Sequence, residues 1–479
     1  MIATIKAMPG ISNKQQLLSH GNTAGREIAL DILEAGLAAL DPFDNVRKMV
    51  WIDGNRLVVH GPQFAEPRLG KPATTEPLVF DLDEVGDIWV VGGGKAAQRE
   101  AEALESILGD RITGGQINAK KGDSVRLKRI NVTLAGHPMP DAESIAGARR
   151  IYEIERSTKK GDIVFHCASG GATALCSLPV PGISLEDLQQ VYRVLYFGKG
   201  ADMPAANAVR NLIAMLNGKH GRYVREATLI EFLTQETPPN LRVHLYEPPK
   251  KADAYDAAIG VLHDFSCWNE MPASVKEFLL RRDPQYDRVT KEEVAGRPQH
   301  HFRVMGPEYM IEAARKHAEK LGLNATVAVT SLSDVEAQPV ADTFAYMACE
   351  AEALARPLQP PCVFIFGGEL LVTVGDATGI GGRNQEFALA TAARIAGSRN
   401  IVVASADSDG TDGPTTYAGG IADGETLARA RTVGFDVAAE LANHNSNAVL
   451  TKLGDAINTG VRSTNVRDLR VVYVGGSAS

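Results

Sequence analysis

The 479-residue sequence lacks the features of several large protein classes. Its five cysteines include no C-x-x-C pair and no cysteine–histidine spacing of a zinc finger, which argues against a zinc module. The net charge is −8 and no long basic tract is present, so nucleic acid is not expected as a partner. No apolar run approaches 18 residues and residues 1–10 do not resemble a signal peptide, so we expect no membrane span and a cytoplasmic location with reduced thiols.

Several nucleotide-site motifs are also missing. The sequence has no G-x-x-x-x-G-K-[ST], H-R-D or D-F-G, which excludes P-loop and protein-kinase sites. Gly92-x-Gly94-x-x-Ala97 matches the dinucleotide fingerprint G-x-G-x-x-A. However, the strand predicted over Ile112–Ile117 is not followed by an acidic residue that could bind a ribose diol.

Short apolar runs alternate with helical patterns along most of the chain. This alternation predicts an α/β fold with largely parallel sheets. Ser184, with Asp187 three residues later, predicts the start of a helix. A strand is predicted near Leu241–Tyr246, and the polar segment Pro248–His301 is interpreted as a linker or insertion that contains one helix near Pro272–Leu280.

Three glycine-rich turns follow apolar strands and open helices. They contain Gly92-Gly93-Gly94-Lys95, Ser169-Gly170-Gly171 and Gly381-Gly382-Arg383-Asn384. Glycines allow a phosphate to approach the backbone, and the free N–H groups of a first helical turn attract anions. Because Lys95 and Arg383 oppose the helix dipole at such positions, they indicate that something negative binds there. The alternative is an ordinary strand-to-helix turn with a solvated cation.

A carboxylate-rich loop follows the strand Ile401–Ser405. Asp407, Asp409 and Asp412 are close enough in sequence to bind a hard cation such as Mg2+, although Asp-Gly is also common in turns. Together with the glycine turns, this loop suggests phosphoryl transfer. Four further candidates, each with an ordinary structural alternative, are His137, Asn207, Arg210 and Glu369.

The ordered set of motifs resembles the glycerate 2-kinase family, whose C-terminal part is the MOFRL domain. The matching pieces span most of the chain and include Val91–Ala97, Gly136–Asp141, Ser169–Leu175, Asn207–Arg210, Gly367–Glu369, Gly381–Glu386, Asp409–Thr415, Ala418–Gly420 and Thr464–Leu469.

The resemblance implies two α/β domains with an active site in the cleft between them. These would be a Rossmann-like N-terminal domain, residues 1–295, and a MOFRL-type domain, residues 305–479. It also implies ATP and Mg2+ as cosubstrates and phosphorylation of D-glycerate, or a closely related hydroxy acid or sugar acid, to the 2-phosphate. The middle of the chain departs from the family pattern, because Asn217–Arg222 replaces a Lys-Gly-Gly-Arg run.

The site expected from the resemblance and the motifs has three groups of residues. Lys95, Arg383 and Asp409 are expected to be catalytic, and Lys95 and Arg383 to clamp the transferring phosphoryl group across the cleft. Asp407, Asp409 and Asp412 are expected to contact Mg2+. Substrate or nucleotide is expected to contact Gly92, Gly93, Gly94, His137, Ser169, Gly170, Gly171, Asn207, Arg210, Glu369, Asn384, Glu386 and Asp412.

Two other function classes stay open at the level of sequence. One is an NAD(P)H-dependent hydroxypyruvate reductase, which the G-x-G-x-x-A match favours. The other is a sensor of sugar acids or nucleotides that keeps the fold without catalysis. The expected partners are small molecules and a nucleotide, with no nucleic acid or membrane, and a homodimer is an open alternative to a monomer.

Overall fold

A computed structural model describes residues 10–238, 241, 253–464 and 466–476. Within these residues the chain forms fifteen strands and seventeen α-helices. The strands are β1 (Val50–Asp53), β2 (Arg56–Val59), β3 (Leu78–Asp81), β4 (Ile88–Gly93), β5 (Gly114–Lys120), β6 (Asn131–Ala135), β7 (Ile163–Ala168), β8 (Thr228–Thr234), β9 (Gln299–Met305), β10 (Asn324–Glu336), β11 (Cys362–Leu371), β12 (Ile401–Asp407), β13 (Gly419–Asp423), β14 (Ala456–Ile457) and β15 (Asp468–Val474).

The helices are distributed along the whole described chain. They are α1 (Lys14–Leu17), α2 (Thr23–Ala38), α3 (Pro42–Met49), α4 (Ala97–Leu108), α5 (Ala142–Ser157), α6 (Ala172–Leu175), α7 (Leu185–Val191), α8 (Met203–Arg210), α9 (His220–Tyr223), α10 (Ala254–Asp264), α11 (Ala273–Arg281), α12 (Pro307–Lys320), α13 (Ala337–Leu354), α14 (Arg383–Arg394), α15 (Thr426–Thr432), α16 (Val437–Ala442) and α17 (Ser446–Leu453).

The chain divides into two compact units. The unit that contains Lys95, called here the Lys95 unit, consists of the described residues of Pro42–Thr234 and His244–Val304. The unit that contains Arg383, called the Arg383 unit, consists of those of Met1–Asp41, Gln235–Val243 and Met305–Ser479. The N-terminal helices therefore group with the C-terminal part of the chain, whereas the division into domains 1–295 and 305–479 stays a prediction.

The main sheet of the Lys95 unit has the strand order β6-β5-β4-β7-β8-β9. The pairs β5–β6, β4–β5, β4–β7 and β7–β8 are all parallel, which confirms the α/β class expected from the alternating pattern. Because β4 lies in the middle of this sheet, its apolar residues Val90 and Val91 are fully buried. The carboxyl ends of β4, β5, β6 and β7 meet at one edge, where ligands of such sheets bind.

The Lys95 unit also contains the three-stranded sheet β1-β2-β3 and a helical cluster. The core of the helical cluster is formed by α7, the following π-helix Tyr192–Gly198, α8, α10 and α11. The helix α7 begins as predicted, since Ser184 Oγ accepts from the Asp187 amide at 3.1 Å. The described part of Pro248–His301 is not a linker, because α10 and α11 bury apolar side chains in this cluster, whereas its being an insertion stays a prediction. The helix predicted near Pro272–Leu280 is confirmed by α11.

The sheet of the Arg383 unit is mixed rather than largely parallel. Its order is β10-β11-β15-β12-β13-β14, and β10 and β11 are parallel. The last strand, β15, lies between β11 and β12 and is antiparallel to both. This insertion places the beginning of β15 beside the carboxyl ends of β11 and β12, so residues distant in sequence meet at one edge.

One strand in the middle of the chain was not predicted. The strand predicted near Leu241–Tyr246 lies outside the described residues except for Leu241, and sequence reasoning missed β8, which lies shortly before it.

In the part of the chain that is described, none of the helices has both the length and the apolar character needed to cross a membrane.

Candidate functional site

Two of the predicted glycine turns lie side by side in the Lys95 unit. They follow the neighbouring parallel strands β4 and β7. The Lys95 amide donates to the Gly170 carbonyl at 2.9 Å, and the Ala96 amide donates to Ser169 Oγ at 2.8 Å. The sequence-predicted residues of the two turns therefore belong to one local structure at the carboxyl edge of the sheet.

The glycines of the first turn are required for close packing. A Cβ atom on Gly92 would lie 1.9 Å from the Cys167 carbonyl oxygen, and one on Gly94 would lie 2.2 Å from Ser169 Oγ. The Gly94 amide donates to the Asn118 carbonyl at 3.1 Å. The amides of residues 94–96 therefore all have partners within the protein, and these three groups do not form the free backbone cradle inferred from the sequence.

His137 lies in the loop after β6, beside the second glycine turn. A Cβ atom on Gly171 would lie 3.1 Å from His137 Nε2. Burial, together with the nearby charges of Lys95, Lys120 and Arg210, lowers the pKa of His137 to about 4. His137 is therefore a neutral hydrogen-bonding group at pH 7, surrounded by cations.

Arg210 is a buried cation that has no acidic partner among the described residues. It is 4 % exposed, donates to Asn207 Oδ1 at 2.7 Å, and its Nε is buried without a hydrogen-bond partner. The guanidinium carbon lies 4.9 Å from the ring centre of Tyr192 and 5.4 Å from that of Tyr196. Both rings belong to the π-helix, an element that often marks functional sites and that the sequence pattern did not indicate.

Arg383, at the start of α14, is surrounded by carboxylates of its own unit. It donates to Asp468 at 2.8 and 2.9 Å and to Asp407 at 2.6 Å, and Glu369 lies 3.3 Å away. Burial lowers the pKa of Arg383, but Asp468 and Asp407 outweigh it and raise the pKa well above its usual value. The sequence indicated that a negative group binds beside Arg383. Carboxylates of the chain supply at least part of that negative charge. Asp468 was not predicted as part of the site.

Asp407 is a buried carboxyl group beside Arg383. It is 4 % exposed, and it pairs in register with Asp468 on the adjacent strand. Burial raises the pKa of Asp407 well above its usual value, although Arg383 opposes the shift. A carboxyl group in this position is held by Arg383 and is poorly placed to bind a second cation.

Asp412 binds the N-terminus of α14. Its Oδ1 accepts from the Asn384 amide at 3.1 Å and its Oδ2 from the Gln385 amide at 2.8 Å, and it is fully buried. Asn384 and Glu386 are also buried in hydrogen-bond networks of this unit; Glu386 accepts from His444 and Gln338. The anion at the third predicted helix N-terminus is therefore the carboxylate of Asp412 itself.

Asp409 lies in the loop after β12. Its Oδ1 accepts from the Thr411 amide at 2.9 Å and hydroxyl at 2.7 Å. Among the described residues, no group of three or more His, Cys, Asp or Glu side chains is arranged to hold a metal ion. The three carboxylates do not fit a resident metal site as a set, and their contact with Mg2+ stays a prediction.

Comparisons with known proteins agree with the two-part architecture. The chain matches the family described as "Domain of unknown function (DUF4147)" over residues 28–280 and the MOFRL family over residues 362–468. It is 33% identical to the glycerate 2-kinase of Pyrococcus horikoshii over 94% of this chain and 97% of that protein.

Two crystal structures have the same fold. One is of a protein from Pyrococcus horikoshii, with a TM-score of 0.76 and 32% identity, and the other is of a glycerate kinase from Thermotoga maritima, with a TM-score of 0.75 and 27% identity. Each alignment covers 94% of this chain and 99% of the other. The chain therefore belongs to the glycerate 2-kinase family, with a DUF4147 domain followed by a MOFRL domain.

Proposed function

We propose that the protein transfers the γ-phosphoryl group of ATP, supplied with Mg2+, to the 2-hydroxyl of D-glycerate or a closely related hydroxy acid. The bond between the γ-phosphorus and the bridging oxygen of ATP breaks, a bond to the hydroxyl oxygen forms, and the hydroxyl proton is released. Family membership supports the reaction class. The observation that carries the proposal for this chain is the cluster of Lys95, Arg210 and neutral His137 at the carboxyl edge of the parallel sheet.

Each residue of this cluster has a proposed part. Arg210 binds an anionic group of the substrate, because its buried guanidinium has no acidic partner among the described residues. His137 donates or accepts a hydrogen bond in its neutral form. Lys95 stabilises charge on the transferring phosphoryl group, and positioning with charge stabilisation is the main source of catalysis in phosphoryl transfer.

The carboxylate cluster of the Arg383 unit is proposed to hold Arg383 in one orientation. Asp407 and Asp468 fix the guanidinium, and Glu369, whose side chain is 44% exposed, is the accessible carboxylate beside it. We retain the clamp of Lys95 and Arg383 as a proposal. We also retain Asp409 as a ligand of the Mg2+ that arrives with ATP, whereas we assign Asp412 to the stability of α14.

The hydroxypyruvate reductase alternative is less well supported. A dinucleotide fingerprint uses backbone N–H groups at the start of the helix to bind the pyrophosphate. Here the amides of Gly94, Lys95 and Ala96 donate to acceptors within the protein. This geometry weakens the only sequence feature that favoured the reductase.

One assay separates the three function classes. Purified protein is incubated with D-glycerate, ATP and Mg2+, and separately with hydroxypyruvate and NADH. We expect acid-dependent ADP formation, with 2-phosphoglycerate identified by 31P NMR. NADH oxidation without ADP formation would support the reductase instead, and glycerate binding without turnover in either mixture would support a sensor.

A further inference from the structure

Lys120 is a cation at the end of β5 that was not expected to be part of the site. It is exposed, its amide donates to Asp123 Oδ2 at 3.2 Å, and its ammonium group forms no ion pair with any residue that the structure describes. The next residue, Lys121, differs in this respect, because it pairs with Asp141 at 2.6 Å and with Glu143 at 3.1 Å. Two adjacent exposed lysines therefore have different electrostatic surroundings.

The strand register places Lys120 next to the proposed site. On one side of β5, Asn118 pairs with Gly93 of β4, just before Lys95. On the other side, Lys120 pairs with Ala135 of β6, two residues before His137. The backbone of Lys120 thus lies at the carboxyl edge of the sheet, between the loop that contains Lys95 and the loop that contains His137.

Lys120 also contributes to the electric field of this edge. Its charge is one of the three that lower the pKa of His137, with those of Lys95 and Arg210. Neither the Lys120 ammonium nor the Arg210 guanidinium forms an ion pair with a residue that the structure describes. Such an arrangement favours binding of an anion.

We propose that Lys120 determines specificity by binding, together with Arg210, the carboxylate of the hydroxy acid. This inference rests on the proposed kinase function and deepens it. A carboxylate suits these two cations for two reasons. Arg210 is a planar donor that lies against the rings of Tyr192 and Tyr196, and its planar fork matches a planar carboxylate. The nucleotide, by contrast, arrives with part of its charge neutralised by Mg2+.

The first test is a matched pair of substitutions, Lys120→Gln and Lys121→Gln. Losing a charge-assisted hydrogen bond to a substrate typically weakens its binding by about tenfold or more. We expect Lys120→Gln to raise KM for the acid by about that factor, while kcat and KM for MgATP change by less than about twofold. Lys121→Gln should leave all three constants near their wild-type values.

The second test needs no turnover. The pKa of His137 is measured by NMR in the wild type and both variants, with and without saturating D-glycerate. Lys120→Gln should raise the pKa of His137 and Lys121→Gln should not. Glycerate should raise it in the wild type, because a bound carboxylate offsets the surrounding cations, and should do so less at equal concentration in Lys120→Gln.

The outcomes separate this inference from the proposed function. An unchanged KM for the acid in Lys120→Gln, or a rise confined to KM for MgATP, would overturn it; the latter would assign Lys120 to the nucleotide. If the wild type forms no ADP with glycerate, the proposed kinase function fails. The NMR measurement then still tests whether Lys120 contributes to binding of the acid.

Discussion

Arg210 and Arg383 are both largely buried arginines, but their charges are balanced in different ways. Arg383 contacts Asp407, Asp468 and Glu369, so a phosphate group must compete with these carboxylates for the Arg383 guanidinium. Arg210 contacts the Asn207 amide oxygen and two tyrosine rings, none of which carries a full negative charge at pH 7. A substrate anion therefore gains more from Arg210, whereas Arg383 is better suited to orienting a group than to capturing one.

Replacing Lys95 or Arg383 by alanine should have different effects on activity and stability. Removing a group that stabilises transition-state charge typically lowers kcat by about 10²–10³-fold, and we expect this loss in both variants. Arg383→Ala should in addition lower the free energy of unfolding by about 3–5 kcal/mol, because Asp407 loses its buried cationic partner and Asp468 keeps only Arg470. Steady-state kinetics and urea unfolding followed by circular dichroism measure both effects.

Arg383→Lys is the control for the shape of the guanidinium. A lysine keeps the charge but cannot donate to Asp407 and Asp468 with a planar fork, so it should restore stability better than kcat. A near-normal kcat in Lys95→Ala or Arg383→Ala would contradict the proposal that these two residues clamp the transferring phosphoryl group.

At the scale of elements, the helices that follow glycine turns show how a sequence pattern can have two physical origins. The start of α14 binds an anion, as its glycines and position predicted, but that anion is Asp412 of the same unit. In the turn before α4, the amides of residues 94–96 donate to strand β5 and to the loop after β7. Ligand sites and internal caps use the same glycine-rich turns, so the pattern alone cannot distinguish them.

Asparagine substitutions should separate the roles of Asp409 and Asp412. Asp412→Asn removes one of two acceptors for buried amides, so we expect a loss of about 1–3 kcal/mol in stability with an unchanged Mg2+ requirement. Asp409→Asn keeps an acceptor for Thr411 and should raise the Mg2+ concentration needed for half-maximal activity. Activity measured against Mg2+, with thermal unfolding, tests both; an unchanged Mg2+ titration in Asp409→Asn would exclude it as a ligand.

Local features of the elements could be predicted, and distant pairings could not. The apolar run before Gly92 and the Ser184 cap lie within a few residues of what they determine, and both predictions are confirmed. The insertion of β15 between β11 and β12 brings Asp468 to Arg383 across 85 positions, and no local period encodes that contact. Lys120 was missed because its proximity to His137 depends on the order of β4, β5 and β6 in the sheet.

At the scale of the whole molecule, the N-terminal helix α2 is held in the Arg383 unit by a buried ion cluster. Arg26 is fully buried and donates to Asp423 at 2.6 Å and to Asp455 at 2.7 Å. These contacts join residues that are about 400 positions apart. The chain therefore leaves the Arg383 unit after Asp41, forms the Lys95 unit, and returns to the Arg383 unit.

Removing Arg26 should destabilise the Arg383 unit. Arg26→Met leaves Asp423 and Asp455 buried with fewer cationic partners, which typically costs about 3–5 kcal/mol. Arg150→Met, at an exposed position of α5, is the matched control and should have little effect. Hydrogen exchange should show faster exchange in β12 and β15 than in β4 and β7, and equal acceleration in all four strands would contradict a local role for Arg26.

Several histidines of the Lys95 unit link stability to pH. Burial and the charges of Lys95, Lys120 and Arg210 lower the pKa of His137 to about 4, and burial with the charges of His301 and Lys71 lowers that of His300 to about 4. Both are below the usual histidine value of 6.5. Burial lowers the pKa of His220, but Glu155 outweighs it and raises that pKa, so His220 has the opposite effect on stability.

The stability of the Lys95 unit should therefore decrease as the pH falls from about 6.5 to about 4, because the unfolded chain protonates His137 and His300 before the folded protein does. Near the middle of this range, unfolding should take up about one proton each at His137 and His300. Burial and the charge of His220 also lower the pKa of His166, so His166 adds to this uptake. His220 adds no slope below pH 6.5, since its contribution is fully present there and is lost only as the pH rises through its raised pKa. Urea unfolding at pH values between 7 and 4.5 measures the slope of the unfolding free energy. His300→Asn should make that slope shallower by about one proton, and an unchanged slope would show that His300 is already charged in the folded protein.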